Sequence, residues 1–193
     1  MATMNSFLTR RRILGTFSAV AAGVLAVPTT ALAAESGPRM RTQRGPYMLE
    51  LFNTHTSETV AIAYRDASGF IADSLTQLDW LLRDHRAGVA APMDPLLFDQ
   101  LADLAAATGL DPRFEVISGY RSPQTNAQLA DASEGVARHS LHMDGRAIDL
   151  RLRGLPSARL RDLALAAGRG GVGFYARSDF VHLDTGRVRN WAG

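Results

Sequence analysis

The chain contains neither cysteine nor lysine in its 193 residues. The absence of cysteine excludes disulfides, thiol nucleophiles and cysteine-ligated metal or cluster sites. The absence of lysine excludes Schiff-base chemistry and the phosphate-binding lysine of a P-loop, so the glycine-rich run at 168–173 is predicted to be a tight turn. A metal ion in this protein would have to be bound by histidine, aspartate or glutamate.

The first 33 residues also lack any acidic residue. Three arginines at 10–12 precede a mostly apolar run over 15–27, and Ala-Leu-Ala at 31–33 matches the small-residue pattern of a cleavage site. This order is typical of a secretory signal peptide, and arginines directly before the apolar run favour the twin-arginine route. We therefore predict an exported protein with no membrane span in its mature form. An uncleaved anchor is the alternative, but the apolar run is short and contains glycine and polar residues.

Cleavage after residue 33 would change the charge balance. It removes three arginines and no acid, so the formal net charge falls from +2 to −1. The sequence therefore gives no argument for nucleic-acid binding. Residues 34–46 show no apolar period and are predicted to form a flexible lead-in. This leaves 47–193 as one domain that is long enough to bury a core.

The remaining chain combines strand-like and helix-like patterns. Two strand-like runs at 48–52 and 59–64, separated by polar residues, predict a hairpin. Leucines at helical spacing predict helices over about 73–84 and 95–108, and Gly109 ends the second. Further helices are predicted after Ser122 and Ser157, and further strands at 114–117, 147–152, 172–175 and 180–183. The order of elements predicts an α+β domain with helices against a mainly antiparallel sheet.

Two segments contain residues that could form a metal site. In the strand predicted from 147, Asp149 projects from the face opposite to its apolar neighbours, and Gly145 permits a chain reversal that turns His142 toward it. Alternation likewise places His182 and Asp184 on one face of the last predicted strand. Two imidazoles and one carboxylate suit zinc, which keeps a fourth position open for water in catalytic sites. His142, Asp149 and His182 are therefore predicted to bind Zn²⁺.

These residues resemble a known motif. The pattern Ser-x-His-x-x-Gly-x-Ala-x-Asp at 140–149, with His182 later in the chain, resembles that of zinc D-Ala-D-Ala peptidases, which are related to lysostaphin-type peptidases and hedgehog domains. The segments 118–126, 170–173 and 180–186 further resemble murein endopeptidase K and its relatives. The resemblance covers about 47–191, which is essentially the whole mature domain.

The resemblance implies an α+β fold of the hedgehog or D-Ala-D-Ala-peptidase type and hydrolysis of peptide cross-links in peptidoglycan. It also implies that His142, Asp149 and His182 are zinc ligands and that Arg121 lies beside the substrate. The fixed fork of donors on arginine suits a substrate carboxylate or a developing oxyanion. We accordingly expect a monomer in the periplasm or at the cell wall, with the peptidoglycan peptide as its partner and no nucleic acid.

The sequence offers two candidates for the residue that activates the water, Asp179 and Asp184. Many zinc D-Ala-D-Ala peptidases carry a glutamate three residues before the last histidine, and Asp179 occupies that position here. Aspartate is one methylene shorter, and strict alternation points Asp179 away from His182 unless the strand starts late or bends. Asp184 lies on the same face of the strand as His182 and is the other candidate. Its alternative role is to orient His182 through the second ring nitrogen of the histidine. By family analogy, Asp179 is predicted to be the base.

Two other functions stay open at this point. One is a D-Ala-D-Ala carboxypeptidase, which differs only in how its cleft recognises the free end of the substrate. The other is a non-catalytic, zinc-containing module that binds the cell wall. Because a structural zinc site normally closes with a fourth protein ligand, the acidic residues and Arg121 around a three-ligand site favour catalysis.

Overall fold

The computed structural model describes residues 45–133 and 136–193. The predicted signal peptide at 1–33 and most of the predicted lead-in at 34–46 lie outside the described residues. The described residues belong to one compact unit. In the described part of the chain, no helix has both the length and the apolar character needed to cross a lipid bilayer.

A twisted eight-stranded sheet forms the centre of the described region. Its strands in chain order are β1 Tyr47–Asn53, β2 Thr59–Asp66, β3 Gly69–Phe70, β4 Arg113–Ser118, β5 Ala147–Leu152, β6 Gly171–Tyr175, β7 Phe180–Asp184 and β8 Arg189–Ala192. Their spatial order is β3-β2-β1-β4-β5-β7-β6-β8. Neighbouring strands are antiparallel except for β1 with β4 and β6 with β8. The predicted α+β class with a mainly antiparallel sheet is confirmed.

The helices among the described residues are α1 Ala72–Leu81, α2 Pro95–Thr108, α3 Pro123–Ala132 and α4 Ser157–Ala167, with a short 3₁₀ helix at Leu141–Asp144. α1 contacts β2, α2 contacts β1 and β5, and α4 contacts β5, β6 and β7. Alternate residues of the strands, such as Leu49, Val116 and Leu150, pack against leucines of these helices in one core. The core therefore lies between the sheet and α1, α2 and α4.

The predicted helix at 95–108 matches α2 at both ends, because its two ends carry strong local signals. The Asp94 carboxylate accepts a hydrogen bond from the backbone N–H of Leu96, Pro95 takes the first helical position, and Gly109 ends the helix with a φ of 73°. The predicted helix at 73–84 was too long, since α1 ends at Leu81. Asp84 instead closes a turn, because its carboxylate accepts from the backbone N–H groups of Arg86 and Ala87.

The strands β3 and β8 were not predicted. Each is short, and neither shows enough alternation to stand out in the sequence. β8 is nevertheless important for the site, because it pairs in parallel with β6 and brings Trp191 opposite Gly173. β6 in turn pairs with β7, where Gly173 lies opposite His182. A cross-strand row therefore connects Trp191, Gly173 and His182.

Candidate metal centre and catalytic cleft

The three predicted ligands come from three neighbouring elements. Asp149 on β5 and His182 on β7 are cross-strand partners in the antiparallel ladder. His142 lies in the 3₁₀ helix, which ends at Gly145 with a φ of 67° immediately before β5. All three side chains are buried, with exposed fractions of 3% for His142 and 7% for each of the other two. The structure thus brings together the residues that the sequence pattern paired.

The distances between the three ligand atoms suit one small cation. His142 Nε2 lies 3.2 Å from His182 Nδ1 and 3.3 Å from Asp149 Oδ1, and the last two atoms are 2.8 Å apart. A tetrahedral ion with bonds of about 2.0–2.2 Å places its ligand atoms about 3.3–3.6 Å apart. Two of the three separations are close to that spacing, and the third is shorter. The three residues form a group that can hold a metal ion.

In each histidine, a hydrogen bond on the side of the ring away from Asp149 fixes which nitrogen faces the other two residues. His142 Nδ1 is 2.7 Å from the carbonyl oxygen of Gly119, which can only accept, so Nδ1 carries the hydrogen. His182 Nε2 is 3.2 Å from Asp184 Oδ2 and donates to it. Each neutral ring therefore turns a lone pair toward Asp149. Lone pairs of two nitrogens and one carboxylate repel one another unless a cation lies between them, so the donor set fits a metal ion.

Burial alone would raise the pKa of the Asp149 carboxyl. The neighbouring imidazoles of His142 and His182 carry positive charge and donate hydrogen bonds to Asp149 when they are protonated, and this outweighs the effect of burial and holds the pKa of Asp149 well below its usual range. The lowered pKa favours the ionised form of Asp149. An ionised carboxylate is the form in which aspartate binds a metal.

Asp184 is fully buried and saturated with donors. Its Oδ1 accepts from the backbone N–H groups of Gly171 and Gly186, and both oxygens accept from the guanidinium of Arg189. Together with the bond from His182, this makes five hydrogen bonds on a group with about four lone-pair sites. Burial raises the pKa of Asp184, but the hydrogen bonds from His182 and Arg189 outweigh this effect. The pKa of Asp184 therefore lies below its usual range. This environment supports the orienting role for Asp184.

Arg121 follows β4 and enters the same cleft. Its guanidinium lies 3.3 Å from Ser118 Oγ, 3.3 Å from Asn126 Oδ1 and 3.9 Å from Asp149 Oδ2. The side chain is only 12% exposed, and its Nε is buried without a hydrogen-bond partner among the described residues. Burial lowers the pKa of Arg121, while the charge of Asp149 raises it. Arg121 is thus held beside the ligands with donor capacity to spare.

A cleft of about 240 Å³ borders the three ligands and Arg121. Its other lining residues are Val136, Ala137, Ser140, Tyr175, Phe180, Arg189 and Trp191. Among the described residues that line it, Asp149 is the only carboxylate. Sequence reasoning missed the wall formed by Tyr175, Arg189 and Trp191, because β8 was not recognised. The glycines of β6, which leave room for that strand, were the available signal.

Asp179, the predicted base, is not brought to the ligands in this structure. It immediately precedes β7 with a φ of 51°, and its side chain is 70% exposed. Its carboxylate lies 3.7 Å from Arg151 Nε, and its carbonyl oxygen accepts from Arg151 and Ser157. The side chains of β7 therefore alternate between the two faces of the sheet along its whole length. The chain turns at Asp179, before the strand begins, and does not bend within the strand. The role of Asp179 as base stays a prediction.

The chain is similar in sequence to known proteins. Residues 41–191 match the family described as peptidoglycan L,D-endopeptidase MepK. The chain is 41% identical over 188 residues to the peptidoglycan L,D-endopeptidase MepK of Escherichia coli strain K12, covering 97% of this chain and 100% of that protein. It is 39% identical over 175 residues to the probable peptidoglycan L,D-endopeptidase MepK of Haemophilus influenzae, covering 90% and 91% of the two chains. No solved structure matches significantly.

Proposed function

Because this chain belongs to the peptidoglycan L,D-endopeptidase MepK family, we propose that it is a zinc-dependent endopeptidase that hydrolyses peptide cross-links of peptidoglycan during cell-wall remodelling. The predicted likeness to murein endopeptidase K is confirmed by this membership. The finer proposal is that the bond cut joins an L-centre to a D-centre, as the name of the relatives indicates. Zinc, rather than another divalent ion, is proposed from the mixed nitrogen and oxygen donor set.

The observation that carries this proposal is the convergence of three ligand atoms at the wall of an accessible cleft. Among the described residues, the group has three members, His142, Asp149 and His182. Structural zinc sites normally close with a fourth protein ligand, whereas catalytic sites use three and leave one position for water or substrate. The arrangement therefore supports hydrolysis over a non-catalytic binding module.

The residues of this chain divide the work at the site. When bound, the zinc ion supplies Lewis acidity toward water and the scissile carbonyl at neutral pH. The carbonyl of Gly119 and the carboxylate of Asp184 hold the two imidazoles in the ligand tautomer. Arg121 donates to the carbonyl oxygen of the scissile bond or to a carboxylate of the stem peptide. The buried position of Arg121 makes these hydrogen bonds stronger than they would be in water.

The base is proposed separately, because its assignment to Asp179 comes from family analogy. To act, this carboxylate must leave Arg151 and turn toward the cleft. A general base is worth about 100- to 10,000-fold in rate, so Asp179→Asn would lower kcat by at least that factor with zinc content unchanged. A kcat within threefold of wild type would contradict the role as base and would assign Asp179 to its exposed ion pair with Arg151.

Several features of location and assembly are proposed with this function. We propose that residues 1–33 are a twin-arginine signal peptide, that 34–46 are a lead-in, and that the mature protein acts in the periplasm or at the cell wall. A peptidoglycan substrate supports this location. We also propose a monomer with the sheet and helix arrangement of hedgehog and D-Ala-D-Ala-peptidase domains. Export that persists when Arg10 and Arg11 are both replaced by lysine would contradict the twin-arginine route.

The activity is tested with defined muropeptides. Purified zinc-loaded protein is incubated with a dimer linked through an L,D bond, a dimer linked through a D,D bond, and a monomer with a terminal D-Ala-D-Ala. The proposal predicts that only the dimer linked through an L,D bond is cleaved. A chelator should abolish this cleavage, and added zinc should restore it. Release of terminal D-Ala would indicate the carboxypeptidase, and binding of all three without cleavage would indicate the non-catalytic module. Either result would contradict the proposed function.

A further inference from the structure

We propose that the hydroxyl of Tyr175 is a second hydrogen-bond donor to the substrate and that it acts with Arg121 on the oxygen of the scissile carbonyl. This inference rests on the proposed function and adds a catalytic residue to it. Tyr175 is the last residue of β6 and lines the cleft together with Arg121 and the three ligand residues. No motif in the sequence had singled it out.

The hydrogen bond from Trp191 determines what the Tyr175 hydroxyl can do. Trp191 Nε1 lies 3.0 Å from the Tyr175 oxygen, and an indole N–H can only donate. The tyrosine oxygen is therefore the acceptor in this contact, and its own hydrogen is left to donate elsewhere. Among the described residues, the structure gives that hydrogen no acceptor. A substrate oxygen in the cleft would supply one.

The ring of Tyr175 is held in place from several sides. It stacks on Phe180 with ring centres 4.5 Å apart and an interplanar angle of 15°. The chain end packs against it, since a Cβ on Gly193 would come within 2.5 Å of the ring. Trp191, which binds the hydroxyl, is itself packed against His182 with ring centres 5.1 Å apart. The hydroxyl is therefore fixed relative to a metal ligand, which is the preorganisation that transition-state stabilisation requires.

Arg121 provides the complementary half of this donor pair. Its Nε is buried and has no partner among the described residues, and Arg121 and Tyr175 line the same cleft. A cationic donor and a neutral donor in one cleft suit an oxygen that is neutral in the ground state and gains charge in the transition state. In this role Tyr175 keeps its proton, so no further proton acceptor is needed.

The alternative is that Tyr175 serves only to hold Trp191 in place. Tyr175→Phe and Trp191→Phe separate the two roles, because the first removes the donor and keeps the ring, while the second removes the N–H that binds the hydroxyl. Tyr47→Phe on β1 is the matched control, since it also removes one phenol but does not line the cleft. All variants are made in the full zinc-loaded protein.

We expect Tyr175→Phe to lower kcat on the L,D-linked dimer about 100-fold, as the loss of one oxyanion donor does, with KM within threefold of wild type and zinc content and Tm unchanged. Binding of a phosphinate analogue of the cross-link should weaken by the same factor as kcat/KM, while binding of a non-hydrolysable ground-state analogue should not. The loss of kcat should be smaller in Trp191→Phe than in Tyr175→Phe, and the kcat of Tyr47→Phe should match that of wild type.

Two results would overturn this inference while leaving the proposed function intact. One is that wild type is active and that Tyr175→Phe has a kcat within twofold of the wild-type value. The other is equal losses in Tyr175→Phe and Trp191→Phe with unchanged phosphinate binding, which would assign Tyr175 a structural role. A wild type that binds zinc but cleaves no muropeptide would contradict the proposed function itself, and the role of Tyr175 would fall with it.

Discussion

At the scale of single residues, the imidazole of His182 is oriented by a chain of hydrogen bonds that starts at Arg189. Arg189 donates to both oxygens of Asp184, and Asp184 accepts from His182 Nε2. This chain leaves His182 Nδ1 without a hydrogen and facing the other ligands. Two backbone N–H groups, from Gly171 and Gly186, hold the same carboxylate. The surrounding structure therefore fixes the tautomer of His182 in the form that the proposed metal site requires.

Asp184→Asn tests this chain. The new amide cannot accept from His182 and Arg189 as the carboxylate does, and it leaves the half-buried guanidinium of Arg189 without its charge partner. We expect zinc affinity to fall about 10- to 100-fold, as for other losses of a group that orients a metal ligand, measured by competition with a chromogenic chelator. The control is Asp111→Asn, since Asp111 is 77% exposed. Affinity within twofold of wild type in Asp184→Asn would contradict the orienting role.

At the scale of secondary-structure elements, the glycines of β6 make room for β8. A Cβ on Gly173 would come within 2.6–2.8 Å of three ring atoms of Trp191, and a Cβ on Gly171 would collide with Asp184 and Arg189. The glycine-rich run is therefore neither a phosphate loop nor only a turn. It allows the indole and guanidinium of β8 to reach His182 and Asp184 across the neighbouring strand.

Gly173→Ala should displace Trp191 from the cleft wall. We expect kcat to fall at least tenfold and the free energy of unfolding to fall by about 1–3 kcal/mol, as for overpacking of a well-packed site. Tryptophan fluorescence and urea unfolding monitor the two effects. Gly45→Ala is the matched control, because nothing lies within 4 Å of a Cβ at that position. If the variant kept both wild-type fluorescence and wild-type kcat, β8 would not be needed to shape the cleft.

Elements with strong local signals were predictable from the sequence, and those defined by distant partners were not. α2 carries a capping aspartate, a proline at its first position and a left-handed glycine at its end, so both of its limits followed from the residues. β8 has only four residues, and it forms a strand because it pairs with β6. The ligands followed from alternation and the motif, whereas Tyr175 and Arg189 became visible only once β6, β7 and β8 were seen side by side.

At the scale of the whole molecule, a buried carboxylate connects the end of α1 to the cleft. Asp84 is 2% exposed and accepts hydrogen bonds from the backbone N–H and the hydroxyl of Ser122, which is the N-cap of α3. Its other oxygen closes the turn at Arg86 and Ala87. Because Ser122 directly follows Arg121, Asp84 fixes the segment that places Arg121 in the cleft.

Asp84 should also contribute to the acid sensitivity of the fold. Burial raises its pKa, but hydrogen bonds from Thr125, Ser122 and the backbone lower it from 3.8 to about 2. A carboxyl with a lower pKa in the folded state stabilises the protein above its unfolded pKa and loses that contribution as pH falls from about 4 to about 2. The amount is about 2 kcal/mol.

Urea unfolding of wild type and Asp84→Asn between pH 2 and pH 7 measures this contribution. We expect Asp84→Asn to be less stable at pH 7 and to lose less stability on acidification, so that the two proteins converge near pH 2. A constant difference in the free energy of unfolding across that range would show that the ionisation of Asp84 does not stabilise the fold. Asp111→Asn serves as the control, because the side chain of Asp111 is 77% exposed.

The central claim is that His142, Asp149 and His182 hold one catalytic zinc ion. It is tested most directly by measuring bound zinc per chain together with cleavage of the L,D-linked muropeptide in wild type, His142→Ala and His139→Ala. His139 is the matched control, because it lies three residues away and is exposed. We predict about one zinc per chain and full activity in wild type and His139→Ala, with both lost in His142→Ala. Zinc retained in His142→Ala, or cleavage by zinc-free wild type, would contradict the account.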